Sequence, residues 1–325
     1  MYQQLLEFLG NVPFFQTVAF GIISMVVVGA SWCLVGAIAG KAPKAGFAME
    51  YLLFSGALIS VISGVLLLKL SGSWGAGDTG CKALYLTLGA FFVAGICCFV
   101  QHMTMSKAMQ HGPNGIIWTV IQSAMIFPFI VGIIFYDVKL TPLRLAGIVF
   151  MLTSLALFGM AKSGSSGKGA WKLLTFTALA VVVADQVMLS IPFYYKETAA
   201  ISPVLCTILC MAGYAVSSLV YMIFRMDKAY ALEIKRCVKC RNFWIYSLGL
   251  LPVSGLFSFT LHWPGMRAMA DNGLGSMSFP ATVGSCIVAF TFYSTIILKE
   301  KLRKVELIAL LLCISALVCL CYITK

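Results

Sequence analysis

Ten apolar stretches of about 20 residues run through this 325-residue chain and constrain its fold more than any other feature. They lie at about 16–39, 47–70, 83–106, 114–136, 143–161, 173–195, 202–224, 243–266, 274–298 and 305–323. Hydrocarbon offers no water to backbone N–H and C=O groups, so stretches of this kind fold as helices that satisfy those groups internally. The sequence therefore predicts an all-α polytopic membrane protein with ten transmembrane helices. Its 61% hydrophobic and 10% charged residues lie far outside the composition of soluble proteins. No Lys or Arg precedes Lys41 and no small-residue cleavage site is evident, so the first stretch reads as a retained helix. Residues 1–15 read as a segment lying along the membrane interface.

The 23 Lys and Arg give a net charge of +12, which raises nucleic acid as a partner. They sit in the loops between apolar stretches, where a membrane protein already needs them, so no nucleic-acid partner is expected. Assigning loops alternately to two sides places sixteen of them on one side and seven on the other. The richer side reads as cytoplasmic, which sets both termini outside the cytoplasm, most simply in a plasma (inner) membrane. Arg225 to Arg241 reads as a basic, partly amphipathic connector touching anionic lipid, and Glu50 as an interfacial carboxylate within reach of Lys44.

Sliding the sequence by 160 positions lays His102 on His262, Lys107 on Arg267, Ala108 on Ala268, Met109 on Met269 and Gly115 on Gly275. That offset is about half the chain and implies a duplication. Five helices per half is an odd number, so the second half enters the membrane upside down and the repeat is inverted. The expected units are a first five-helix repeat at 1–162, a Gly/Ser-rich linker at 163–172 and a second repeat at 173–325, arranged around a central cavity.

Polar residues inside the spans mark the candidate site, because lipid penalises them. Trp118, Gln122 and Met125 share one stripe of the fourth helix, and Ser278, Thr282 and Ser285 share the matching stripe of the ninth. Trp32 stands near the middle of the first helix. Asp185, about twelve residues into the sixth, is the candidate for proton coupling. His102 and His262 each precede a cation by five residues, about 7.5 Å along a helix, and Trp263 follows the second. A membrane histidine can orient a solute or take a proton near neutral pH. Nine of the twelve cysteines lie in apolar stretches and read as small packing residues. The Cys237/Cys240 pair lacks the second ligand pair that zinc needs, so neither metal nor cofactor is expected. No HExxH, GxSxG or phosphate-loop pattern occurs, which argues against an enzyme.

The 5 + 5 spans, the run Lys107-Ala108-Met109 into a Gly-containing turn, the passage FYDVKLTPLRLAGIVFMLTSLALFG and its counterpart LKEKLRKVELIALLLCISALVCL carry a further likeness. In these the chain resembles the drug/metabolite transporter superfamily in its ten-helix EamA-type form. Glu300, two residues before Leu302, matches the family pattern, whereas Asp137 stands three before Leu140. The resemblance implies a basket of helices working by alternating access on small solutes. On this chain the implied cavity residues are Trp32, His102, Trp118, Gln122, Asp185, His262, Trp263, Ser278 and Thr282. The expectation is a secondary transporter for a small polar or amphipathic metabolite, with membrane lipid around it. A lipid-linked sugar flippase and a non-transporting scaffold or sensor remain as alternatives.

Overall fold

The fold was read from a computed structural model, which describes residues 16–71, 81–135, 140–160, 170–190, 201–257 and 275–321, with five isolated positions between 258 and 274. Thirteen α-helices and no strand occur among the described residues. In chain order they are α1 (Val18–Lys41), α2 (Met49–Ser71), α3 (Cys81–His111), α4 (Asn114–Gln122), α5 (Ile126–Phe135), α6 (Pro142–Met160) and α7 (Ala170–Ser190). Then come α8 (Pro203–Phe224), α9 (Lys228–Lys239), α10 (Arg241–Leu250), α11 (Pro252–Phe257), α12 (Gly275–Phe292) and α13 (Lys304–Cys321). The expected interfacial stretch 1–15, most of the linker 163–172, Asp137, His262, Trp263 and Arg267 lie outside the described residues.

Among the described residues, six helical spans are long and apolar enough to cross a bilayer: Val18–Lys41, Met49–Lys69, Leu84–His111, Asn114–Phe135, Ala170–Leu189 and Val204–Phe224. Their exposed faces are apolar, the reverse of a soluble protein. On α1 the exposed row is Ile22, Ile23, Val26, Val27 and Leu34, and on α2 it is Leu58, Ile62, Val65 and Leu66. The inward face of α1 carries Gly21, Ser24, Met25, Val28, Gly29 and Gly36 instead. Small residues there let neighbouring backbones approach, which is how helices associate in lipid.

Local chemistry sets the helix ends. The Thr17 hydroxyl accepts the Phe20 N–H, the Ser202 hydroxyl accepts the Val204 N–H ahead of Pro203, and the Asp227 carboxylate accepts the Tyr230 N–H. Glu306 accepts the Arg303 N–H at 2.7 Å and so closes the start of α13. The main packing pairs are α3 with α7 and α8, α1 with α12, α2 with α8, and α6 with α13. The α10–α11 segment packs on α1 and α2, while α4 and α5 pack on α7. Hydroxyl bonds cross between helices: Ser106 of α3 to the Ala39 carbonyl of α1 at 2.9 Å, Ser55 to Ser247 at 2.8 Å, and Ser154 to the Ala309 carbonyl at 2.6 Å.

Three local expectations change. The eighth apolar stretch breaks at Leu251–Pro252 into α10 and α11, because proline cannot donate to the preceding turn. The fourth is interrupted by a tight turn at Ser123–Met125, immediately after Gln122. Finally, Glu50 is buried at 2% exposed and pairs with Arg225, which reaches it from the end of α8, in place of the nearby Lys44.

Candidate functional site

The described candidate-site residues fall in two groups. The first lies between α3, α7 and α8. Cys98 and His102 are one turn apart on α3, and the His102 Nδ1 lies 2.8 Å from the Cys98 carbonyl. A carbonyl only accepts, so Nδ1 carries the hydrogen and Nε2 of the neutral ring is left as an acceptor. The ring faces Tyr214 of α8, with centroids 5.7 Å apart. Asp185 of α7 is 2% exposed, and its Oδ2 accepts from Gln186 Nε2 at 3.1 Å while Oδ1 has no hydrogen-bond partner. The thiol of Cys98 lies alongside the Asp185 carboxylate, with Cys210 and Tyr214 close by. The Tyr214 hydroxyl, buried at 1%, is likewise without a partner. A three-helix seam thus holds a carboxylate, a phenol and an imidazole, with two polar atoms unsatisfied. Such atoms are costly in an apolar interior and call for a functional explanation.

This seam is held by unusually close backbones. A Cβ on Gly95 of α3 would fall 1.9 Å from the Cys210 carbonyl oxygen, and one on Gly213 of α8 would fall 2.0 Å from that of Phe92. Only glycine permits the crossing, and the crossing sets the register that brings Tyr214 to His102.

The second group stands where α1, α4 and α12 meet. Trp118 is 2% exposed and stacks on Phe290 at 5.0 Å, and both rings press against the bare backbone of Gly36. The Trp118 Nε1 has no partner. Further along α12, Thr282 is fully buried and donates to Met25 Sδ at 3.1 Å. Trp32 and Gln122 are half-buried on α1 and at the end of α4. Ser278 belongs to α12, though its side chain lies outside the described residues. The structure therefore sets His102 and Asp185 on the packed helices α3 and α7, each beside Cys98 and Tyr214, and sets Trp118 and Thr282 on helices packed against α1.

Beyond this second group, both carboxylate oxygens of Glu300 cap α4: Oε1 accepts the Asn114 N–H at 2.8 Å and Oε2 the Gly115 N–H at 3.0 Å. The negative charge also meets the positive end of the helix dipole. A small cavity of about 10 Å³, room for about one water, lies beside it between Gly115, Thr119, Ser294 and Glu306. Replacing Glu300 with alanine is expected to lower stability by about 1 kcal/mol, with glutamine recovering part of the loss. Thermal unfolding of the detergent-solubilised protein measures it.

Tyr214, Cys98, Cys210 and Asn114 join the site only in three dimensions. Cys237 of the CxxC pair is fully buried at the end of α9, and burial pushes its thiol up from the usual range. That suits a packing residue and opposes redox chemistry.

The described helices and their lipid-facing apolar rows define the class: the chain is a multi-pass helical membrane protein. No protein-family model matches it, and no curated protein matches it. A solved structure described only as "Crystal structure of protein" is similar in fold, with TM-score 0.56 and 16% sequence identity, covering 93% of this chain and 95% of that chain.

Proposed function

We propose that this protein is a secondary transporter that moves a small polar or amphipathic metabolite across the membrane by alternating access, coupled to protons. It is built as ten spans in two inverted five-helix repeats and belongs with the EamA-type drug/metabolite transporters. Support for the repeat comes from the packing. Exchanging the first five spans for the last five, in order, carries the α3/α7 pair into the contact of α10–α11 with α1, and α1/α12 into that of α7 with α4–α5. The same exchange carries α3/α8 into α2 with α10–α11, and returns α2/α8 and α6/α13 to themselves.

The observation that carries the transport reading is Asp185, a carboxylate buried at 2% exposure in a membrane span with one oxygen unpartnered. Intramembrane carboxylates of this kind mark ion and proton pathways. In this reading Asp185 takes the coupling proton, Tyr214 stands beside it with His102 on the far side of that ring, and the aromatic pair Trp118 and Phe290 packs the solute. The charge asymmetry of the loops supports both termini lying outside the cytoplasm in a plasma (inner) membrane.

A ligand comes first from thermal stabilisation against amino acids, sugars, nucleotides and cationic drugs, since binding to the folded state raises its stability. Proteoliposomes are then loaded with that compound under an imposed pH gradient. Asp185→Asn is expected to lower gradient-driven accumulation by about tenfold or more, equivalent to about 1.4 kcal/mol of lost coupling, while exchange without a gradient continues. Unchanged accumulation in the variant would remove Asp185 from the mechanism, and the absence of any transported compound would sink the transporter reading.

A further inference from the structure

The basic segment between α8 and α10 folds into a helix with a defined place, and that placement is informative beyond transport. Tyr230, Ile234 and Cys237 of α9 form its inner face, with Tyr230 packed in a cluster with Ala48 and Met222 beside Tyr51 and Phe54. Asp227 caps its first turn at 2.7 Å, and Arg236 donates to the Gly46 carbonyl at 3.1 Å. Arg225, just before it, pairs with buried Glu50 and covers the Tyr230 ring at 5.2 Å. Burial keeps the Tyr230 phenol protonated well above its usual range, and the charge of Glu50 adds to this. The helix is therefore docked rather than loose.

At 100° per residue, the side opposite Tyr230 carries Lys228, Leu232, Lys235 and Lys239 in one row. All four are exposed, Leu232 at 66%. The row begins where the apolar surface of α8 ends. Val220, Ile223 and Phe224, the last of these 87% exposed, give way within four residues to the first lysine. On the other side Trp244 is exposed and donates its Nε1–H to the Val238 carbonyl at 2.9 Å, in the manner of aromatic residues at a membrane boundary.

We propose that α9 is a binding site for anionic phospholipid, with Lys228, Lys235 and Lys239 holding headgroup phosphates and Leu232 set between them in the acyl boundary. The argument is charge complementarity at the right depth. Three cations stand in one row, the Asp227 carboxylate is occupied as a cap, and apolar surface adjoins the row at both ends. Each lysine at an anionic surface contributes about a fivefold gain in partitioning, so the row amounts to on the order of 100-fold.

The test is a titration of the full-length protein in mixed micelles with dioleoyl-phosphatidylglycerol or dioleoyl-phosphatidylcholine, read as the lipid concentration at half-maximal thermal stabilisation. Phosphatidylglycerol is expected to stabilise the wild-type protein at a lower concentration than phosphatidylcholine, and added salt should weaken the effect. The triple variant Lys228→Gln, Lys235→Gln, Lys239→Gln should need on the order of 100-fold more phosphatidylglycerol. The matching triple Lys→Arg variant should behave as wild type, which separates lost charge from misfolding. An unshifted midpoint in the glutamine variant overturns the proposal by placing the lipid elsewhere. Equal stabilisation by the two lipids overturns it by showing that headgroup charge plays no part in the binding. Inorganic phosphate reproducing the shift overturns it by reducing α9 to a free-anion site.

Discussion

Gly213→Val is expected to prevent stable folding, with a cost of more than about 4 kcal/mol. The first atom of any side chain at 213 would lie 2.0 Å from the Phe92 carbonyl oxygen and 3.0 Å from its carbon, and both belong to the backbone. Across the same crossing, a Cβ at Gly95 would meet the Cys210 carbonyl at 1.9 Å. No rotamer change relieves such contacts. The helices would have to separate, and the edge-on and tilted ring contacts of Tyr214 with Phe99 and His102 would be lost with them. Gly89, on the same helix as Gly95, has nothing within 4 Å of its added Cβ. Gly89→Ala should therefore fall within about 1 kcal/mol of wild type, on the stabilising side if anywhere, since alanine favours helix. Monodisperse yield in detergent and Tm measure both variants. A Gly213→Val protein as stable as Gly89→Ala would show that α3 and α8 do not cross at these glycines.

Arg225→Ala is expected to cost about 2 kcal/mol, more than a surface ion pair is worth, because of what it leaves behind. The Arg225 side chain is 53% exposed, so water screens its half of the attraction; Glu50 is only 2% exposed and would be stranded as a buried charge. The loss should shrink in the double variant Arg225→Ala, Glu50→Gln, where the stranded group is neutral. Double-mutant analysis of Tm isolates this coupling. Equal losses with and without Glu50→Gln would mean that Arg225 acts through its stacking on Tyr230 rather than through the carboxylate.

Much of this architecture can be read from the chain alone, because hydrocarbon leaves the backbone one option wherever about 20 apolar residues run together. Asp185 and His102 stand out in such runs for the same reason. Tyr214 and Cys210 do not: within the apolar stretch of α8, nothing local separates a tyrosine facing Asp185 from one facing lipid. Their place follows from the register at Gly95 and Gly213, a property of two helices whose glycines lie 118 positions apart. Glu50 is a similar case. Lys44 is its neighbour in sequence, whereas its partner in space arrives from 175 residues away. By contrast, α9 does carry a helical signature: Tyr230, Ile234 and Cys237 at i, i+4 and i+7, with Asp227 in the capping position. The CxxC spacing draws the eye away from that stripe.

The capping of α4 by Glu300 has an evolutionary consequence. Its donors are main-chain amides and its acceptors are two atoms of a single side chain. Apart from proline, no substitution at 114 or 115 can delete a donor, whereas any non-carboxylate at 300 removes the paired anionic acceptor at once. The tie between the turn after α3 and the loop after α12 thus depends on the carboxylate at 300 and on the bare backbone of Gly115, where a Cβ would lie 2.5 Å from the Ser294 hydroxyl. A lineage that needs those segments held more loosely can change position 300 alone and leave every membrane span as it is.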